Sequence, residues 1–133
     1  MLDAKRWAGP LASVVVLASA GCGSDISTAV SSTAGRFYAA VASGNGAAAC
    51  ALLAPSTVHE VQQSEQAPCG TAIMKEDIPA AGQVVGQKRY GDQAQVRLRR
   101  DTAFLARFPD GWKVVAAACT PRGELPYDCK VKG

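Results

Sequence analysis

A change of hydrophobic period near residue 80 constrains this chain more than any other feature. Before it, apolar residues recur every three or four positions: Ile26, Val30, Ala34, Phe37 and Val41 form one stripe, which predicts a helix over 26–43. Asp25 or Ser27 suits its N-cap, and Gly44-Asn45-Gly46 suits its end. A second, wholly apolar helix is predicted over 47–54 and stopped by Pro55. A third starts near Ser56, where Thr57-Val58-His59-Glu60 matches a capping box, and Pro68-Cys69-Gly70 breaks it. After residue 80 the pattern alternates. Strands are predicted over 83–90 and 93–100 around a Gly91-Asp92 hairpin, then over 102–108, and over 112–119 after the Pro109-Asp110-Gly111 turn. Residues 129–131 add a short edge. Helices followed by an antiparallel meander make an α+β fold, with the N-terminal helices packed on a sheet of four or five strands.

The first 21 residues belong to a different regime. Lys5 and Arg6 precede an apolar run, Trp7 to Ala18, that is closed by Ala18-Ser19-Ala20-Gly21-Cys22. This is the three-part layout of a secretory signal. The run is shorter than the ~20 residues of a membrane-spanning helix. Two cleavage sites compete. Ala18-Ser19-Ala20 would release a soluble protein at Gly21. Ala20-Gly21-Cys22 resembles the end of a bacterial lipobox, with Ser19 where Leu is usual, and would leave a lipidated Cys22 at the N-terminus. Acyl chains, palmitate among them, would then hold the protein to the extracytoplasmic face of the cell membrane. The organisation expected is a signal peptide over 1–21, the lipidated Cys and a polar tether over 22–28, and a single domain over 29–133.

The chain has five cysteines, Cys22, Cys50, Cys69, Cys119 and Cys129, an odd number for an exported protein. A lipid on Cys22 accounts for the odd one. The remaining four admit three pairings, of which the local closures Cys50–Cys69 and Cys119–Cys129 are the expected ones. Outside the cytoplasm such bonds persist, and they would strengthen a core that is rich in Ala and so buries little area per residue. No C-x-x-C pair is present and His59 is the only His, so neither a metal nor any other cofactor is expected. Without residues 1–21 the chain carries twelve basic and ten acidic residues, too even a balance for a nucleic-acid partner.

Several short pieces, taken in order, carry a family likeness: Arg36-Phe37-Tyr38-Ala39-Ala40, Ala49-Cys50-Ala51-Leu52-Leu53-Ala54-Pro55, Ala67-Pro68-Cys69, Phe104-Leu105-Ala106-Arg107-Phe108, Gly111-Trp112-Lys113-Val114, Cys119-Thr120-Pro121 and Pro126-Tyr127-Asp128-Cys129. Over residues 30–133 the chain resembles poorly characterised bacterial lipoproteins with a nuclear-transport-factor-like, cystatin-like, cone-shaped domain. The resemblance implies a curved sheet wrapped around a long N-terminal helix. Members of that wider fold include isomerases and cyclases as well as noncatalytic binding modules, so the fold leaves function open.

Residues able to carry chemistry are few, and none is assigned as catalytic. Tyr38 and His59 are the candidates for a pocket or its rim. Tyr38 lies beside the apolar stripe, and His59 shares a helix face with Gln62, Gln63 and Gln66. Asp77, Asp101 and Asp110 sit in connections and read as turn formers. Lys88, Arg97 and Arg99 lie on neighbouring strands and form a candidate basic patch. The expected role is a noncatalytic binding or accessory module of the cell envelope, with an unknown protein or small molecule as partner. The alternatives are a small isomerase- or cyclase-like enzyme with an apolar pocket in the cone, and an adaptor that uses the basic sheet face.

Overall fold

The computed structural model describes residues 22–133, with side chains from Ile26 onward; the expected signal peptide over 1–21 and the side chain of Cys22 lie outside the described residues. Four helices precede five strands: α1 (Cys22–Ala42), α2 (Gly46–Ala51), α3 (Pro55–Glu65), α4 (Cys69–Lys75), β1 (Val84–Tyr90), β2 (Gln93–Leu98), β3 (Thr102–Phe108), β4 (Gly111–Arg122) and β5 (Leu125–Lys132). The strands form one curved, open antiparallel sheet in sequence order β1-β2-β3-β4-β5. This is the expected α+β class, and it is compatible with a cone-like domain.

The apolar stripe of α1 does what its period requires. Val30, Ala34, Phe37 and Val41 are buried, while Ser32 and Arg36 face water. The opposing sheet face alternates in the same way: Ala94, Val96 and Leu98 on β2, Ala103 and Leu105 on β3 and Trp112 and Val114 on β4 are buried. Leu105 stands opposite both Ala94 and Val114, so three strands present one continuous apolar surface. Bulges in β1, between β3 and β4 and near the end of β4 bend the sheet around the helices.

Several local expectations are corrected. Among the described residues α1 runs from Cys22, so Asp25 and Ser27 lie inside the helix and do not cap it, and the residues read as a tether are helical. Ser27 instead accepts a hydrogen bond from Gln87 Nε2 at 2.6 Å. α3 starts at Pro55, one residue after an extended Ala54 that makes no side-chain cap. Thr57 is fully buried and donates its hydroxyl to the Val115 carbonyl at 3.0 Å, so the predicted capping box is absent. Pro55 is thus a helix start and not a stop, as its missing N–H allows at the first helical position. Residues 52–54, expected to end the second helix, leave it: Leu52 is the turn that caps α2, Leu53 bridges to Val114 and Ala54 is extended. Ala54 N–H donates to Val114 O and Val114 N–H to Leu52 O, both at 2.8 Å. These two Val114 groups point away from β3, and β5 pairs only with the later part of β4, so the connector takes over the open edge. A fourth helix, α4, follows the Pro68 break, and β4 and β5 run longer than predicted.

The four described cysteines form the expected local closures, Cys50–Cys69 and Cys119–Cys129. The first ties α2 to α4 and the second joins opposed residues of β4 and β5. Loop closure of this size removes about 3 kcal/mol of unfolded-state entropy. Beside the first bridge, Gly46 and Gly70 meet backbone to backbone: a Cβ on Gly46 would overlap the Gly70 carbonyl, whereas a Cβ on Gly70 would sit 3.4 Å from Ala47 N, an ordinary contact. Gly46→Ala is therefore expected to cost about 2–3 kcal/mol through overpacking. Gly70→Ala, inside α4, should be neutral or stabilising by up to about 1 kcal/mol. Urea unfolding of both variants checks this; equal losses would show that the crossing is looser than described.

Candidate functional site

The β2–β3 connection brings the chain's most organised polar group to one end of the sheet. Asp101 is half-buried there. Its Oδ2 accepts the Tyr38 hydroxyl at 2.6 Å, and its Oδ1 accepts the N–H groups of Thr102 at 2.7 Å and Cys119 at 2.9 Å. The Tyr38 oxygen also accepts the Ala118 N–H at 3.3 Å. Ala118 has a φ of +53°, a left-handed conformation unfavourable for a residue with a Cβ. That local cost turns its amide toward the tyrosine. Tyr38 is 7% exposed, with its ring edge-on to Phe37. Burial first, then donation to Asp101, holds its phenol well above the ordinary tyrosine range.

The turn-former reading of Asp101 is too small. The bond to Thr102 is the local part, and the bonds to Tyr38 and Cys119 join α1 and β4 to the same carboxylate. The sequence signal for this was an Asp placed immediately after a strand, which any turn also shows. Three donors occupy the carboxylate, and both of its oxygens are engaged. The chemistry follows: the group positions backbone and does not stand free as a base.

A cleft of about 470 Å³ opens beside this network. Arg97, Arg99, Arg100 and Lys130 line it, with Asp101 and Thr120. Val85 and Pro79 add an apolar wall. Among the described residues the ion pairs are Arg107–Asp92 and Lys113–Asp110, so none of the four cleft cations lies within 4.0 Å of a carboxylate oxygen. Two of them use part of their donor capacity on backbone: Arg100 Nε donates to Ala80 O and Lys130 Nζ to Asp77 O, each at 3.1 Å. Glu76 lies near Lys130. Its carboxyl is raised by desolvation and then by a hydrogen bond shared with Glu65.

The predicted site residues are distributed unevenly. Arg97 and Arg99 share the cleft. Lys88, opposite Gln95, lies on the same sheet face as Arg97 by register but outside the cleft. His59 is exposed on α3, away from these groups, and Tyr38 stands behind Asp101. Asp77 and Asp110 are exposed, Asp77 with a left-handed φ of 50°. Lys130 was not singled out from sequence, whereas Arg100 was read as one of the basic residues of the predicted strand over 93–100. Arg100 follows the end of β2, and Lys130 arrives on β5, whose pairing no sequence period reveals.

Large apolar side chains make up the core between helices and sheet. Phe37, Ile73, Leu105, Val30, Val96, Val114 and Val131 are each under 2% exposed. Among the described residues no group of three or more His, Cys, Asp or Glu side chains could hold a metal ion. No helix among them is long and apolar enough to cross a membrane. Two disulfides are consistent with an exported, non-cytoplasmic protein. No protein-family model, curated protein or solved structure matches the chain.

The Tyr38–Asp101 bond yields a pH signature. A phenol that keeps its proton longer in the folded than in the unfolded chain contributes fully below pH ~10, and the contribution is lost as pH rises beyond that. Tyr38→Phe strands an acceptor and an N–H, so it should cost about 1–3 kcal/mol at neutral pH. The gap between wild type and variant should then narrow above pH ~10, by at most about 1.4 kcal/mol per unit. Urea titrations across that range test it; a gap that stays constant to pH ~11 would refute the assignment.

Proposed function

We propose that this chain is an exported envelope lipoprotein, anchored through Cys22, whose nuclear-transport-factor-like domain is a noncatalytic binding module. The observation that carries the reading is the placement of the open chemistry. Large side chains are buried between helices and sheet, and four cationic groups without an ion pair line a surface cleft. A module that binds needs an accessible, chemically biased concavity; a cone enzyme needs an internal one with a free acid or base. The anchor draws support from the cysteines, since four of the five are paired with one another and Cys22 is the one left over.

The second reading, a small isomerase- or cyclase-like enzyme, has one observation on its side: the Tyr38–Asp101 pair borders an open cleft. Against it, both Asp101 oxygens are already engaged. The adaptor reading takes an altered form, in which the four cations of the cleft, and not the whole sheet face, make the contact.

Two measurements test the proposal. Intact-mass analysis of the protein from the membrane fraction should give a chain starting at Cys22 and carrying diacylglyceryl and acyl groups; a mature chain with an unmodified Gly21 start would remove the anchor. Compounds recovered after incubation with the protein should be chemically unchanged by mass spectrometry. A product that disappears with Asp101→Asn would replace the binding module with an enzyme.

A further inference from the structure

We infer that the cleft at the β2–β3 turn binds a compact polyvalent oxyanion, with Arg97 seated for that contact by Gly86. The inference rests on the binding-module reading and names the ligand class of the same site. Four cationic side chains, Arg97, Arg99, Arg100 and Lys130, line a cleft whose one lining carboxylate, Asp101, is already satisfied by three donors. The surplus of positive charge calls for a ligand with two or more negative charges at close range. Guanidinium forks match the oxygens of phosphate and carboxylate groups in pairs. The apolar wall, with Val85 55% exposed, lowers the local dielectric and strengthens such contacts.

The placement of Arg97 sets this cleft apart from an ordinary basic surface. Gly86 stands opposite Arg97, next to a bulge in β1. A Cβ on Gly86 would lie 2.6 Å from Arg97 Nη2, so the guanidinium rests across the bare glycine backbone. Glycine inside a strand weakens it, and a recurrent reason to keep one there is the close approach of another group. Here that group is an arginine lining the cleft. A methyl group at 86 would push this flexible guanidinium off its seat without altering any charge.

The mature chain carrying Cys22→Ser should be titrated by NMR with tripolyphosphate, citrate and vesicles containing an anionic phospholipid. Saturable shifts of the Arg97, Arg99, Asp101 and Thr120 amides with tripolyphosphate or citrate are expected, and the tighter of the two assigns the oxyanion as phosphate or carboxylate. Arg97→Gln and Arg99→Gln should each weaken binding about tenfold or more. Gly86→Ala should weaken it several-fold at unchanged net charge and unchanged Tm, while Lys88→Gln leaves it unaltered. Absence of binding by both soluble anions, affinity unaffected by Gly86→Ala and Arg97→Gln, or a vesicle response exceeding that to tripolyphosphate would each overturn the inference. None of these failures touches the anchored-module reading, which stands or falls on the mature mass and the absence of turnover.

Discussion

The carboxylate of Asp101 is the point on which the two halves of the fold depend. α1 packs on the sheet through a non-directional apolar stripe, and such packing fixes neither the rotation nor the axial position of a helix within narrow limits. The hydrogen bond from Tyr38 does, because it ties one atom of α1 to one atom of the β2–β3 connection. The same carboxylate takes the Cys119 N–H, so the connection is also held to β4 just where β4 is disulfide-bonded to β5. A short polar network therefore sets the geometry at the open end of the sheet. The cleft inherits that rigidity, since Arg97, Arg99 and Arg100 flank the pinned turn.

An Ala-rich chain meets the problem of a thin core by close approach more than by bulk. Gly46 and Gly70 let two short helices touch backbone to backbone, with a disulfide alongside. Ala34, Ala49, Ala72, Ala94, Ala103 and Ala117 are all buried, each permitting a neighbour to come nearer. The larger side chains are few and concentrated where helix faces sheet.

How much of this was legible in the sequence follows from how local each signal is. The period change near residue 80 correctly separated helices from strands, and the stripe of α1 identified its buried face, because both depend on neighbours within a few residues. The two disulfides are the favoured local closures, although spacing alone left three pairings open. Thr57 and residues 52–54 were misread because their partners, Val115 and Val114, lie about sixty residues away, and only the folded edge of β4 makes demands on them. Asp101 was underrated on similar grounds: its bond to Thr102 looks like any turn, and its bond to Tyr38 spans 63 positions. Arg97 and Arg99 were visible as a pair through strand alternation, whereas Arg100 and Lys130 join them only through the turn after β2 and the path of β5.

That 63-residue span also orders events in time. A chain made from its N-terminus completes α1 well before Asp101 exists, so the apolar stripe has no sheet to cover it during that interval. The strands, by contrast, pair with sequence neighbours and can zip up as soon as each hairpin is present. α2, α3 and α4 close on themselves through Cys50–Cys69 without waiting for any strand. The helical half can thus be oxidised and compact while the sheet is still arriving, and the docking of α1 becomes the late, long-range step that commits the molecule to its final form.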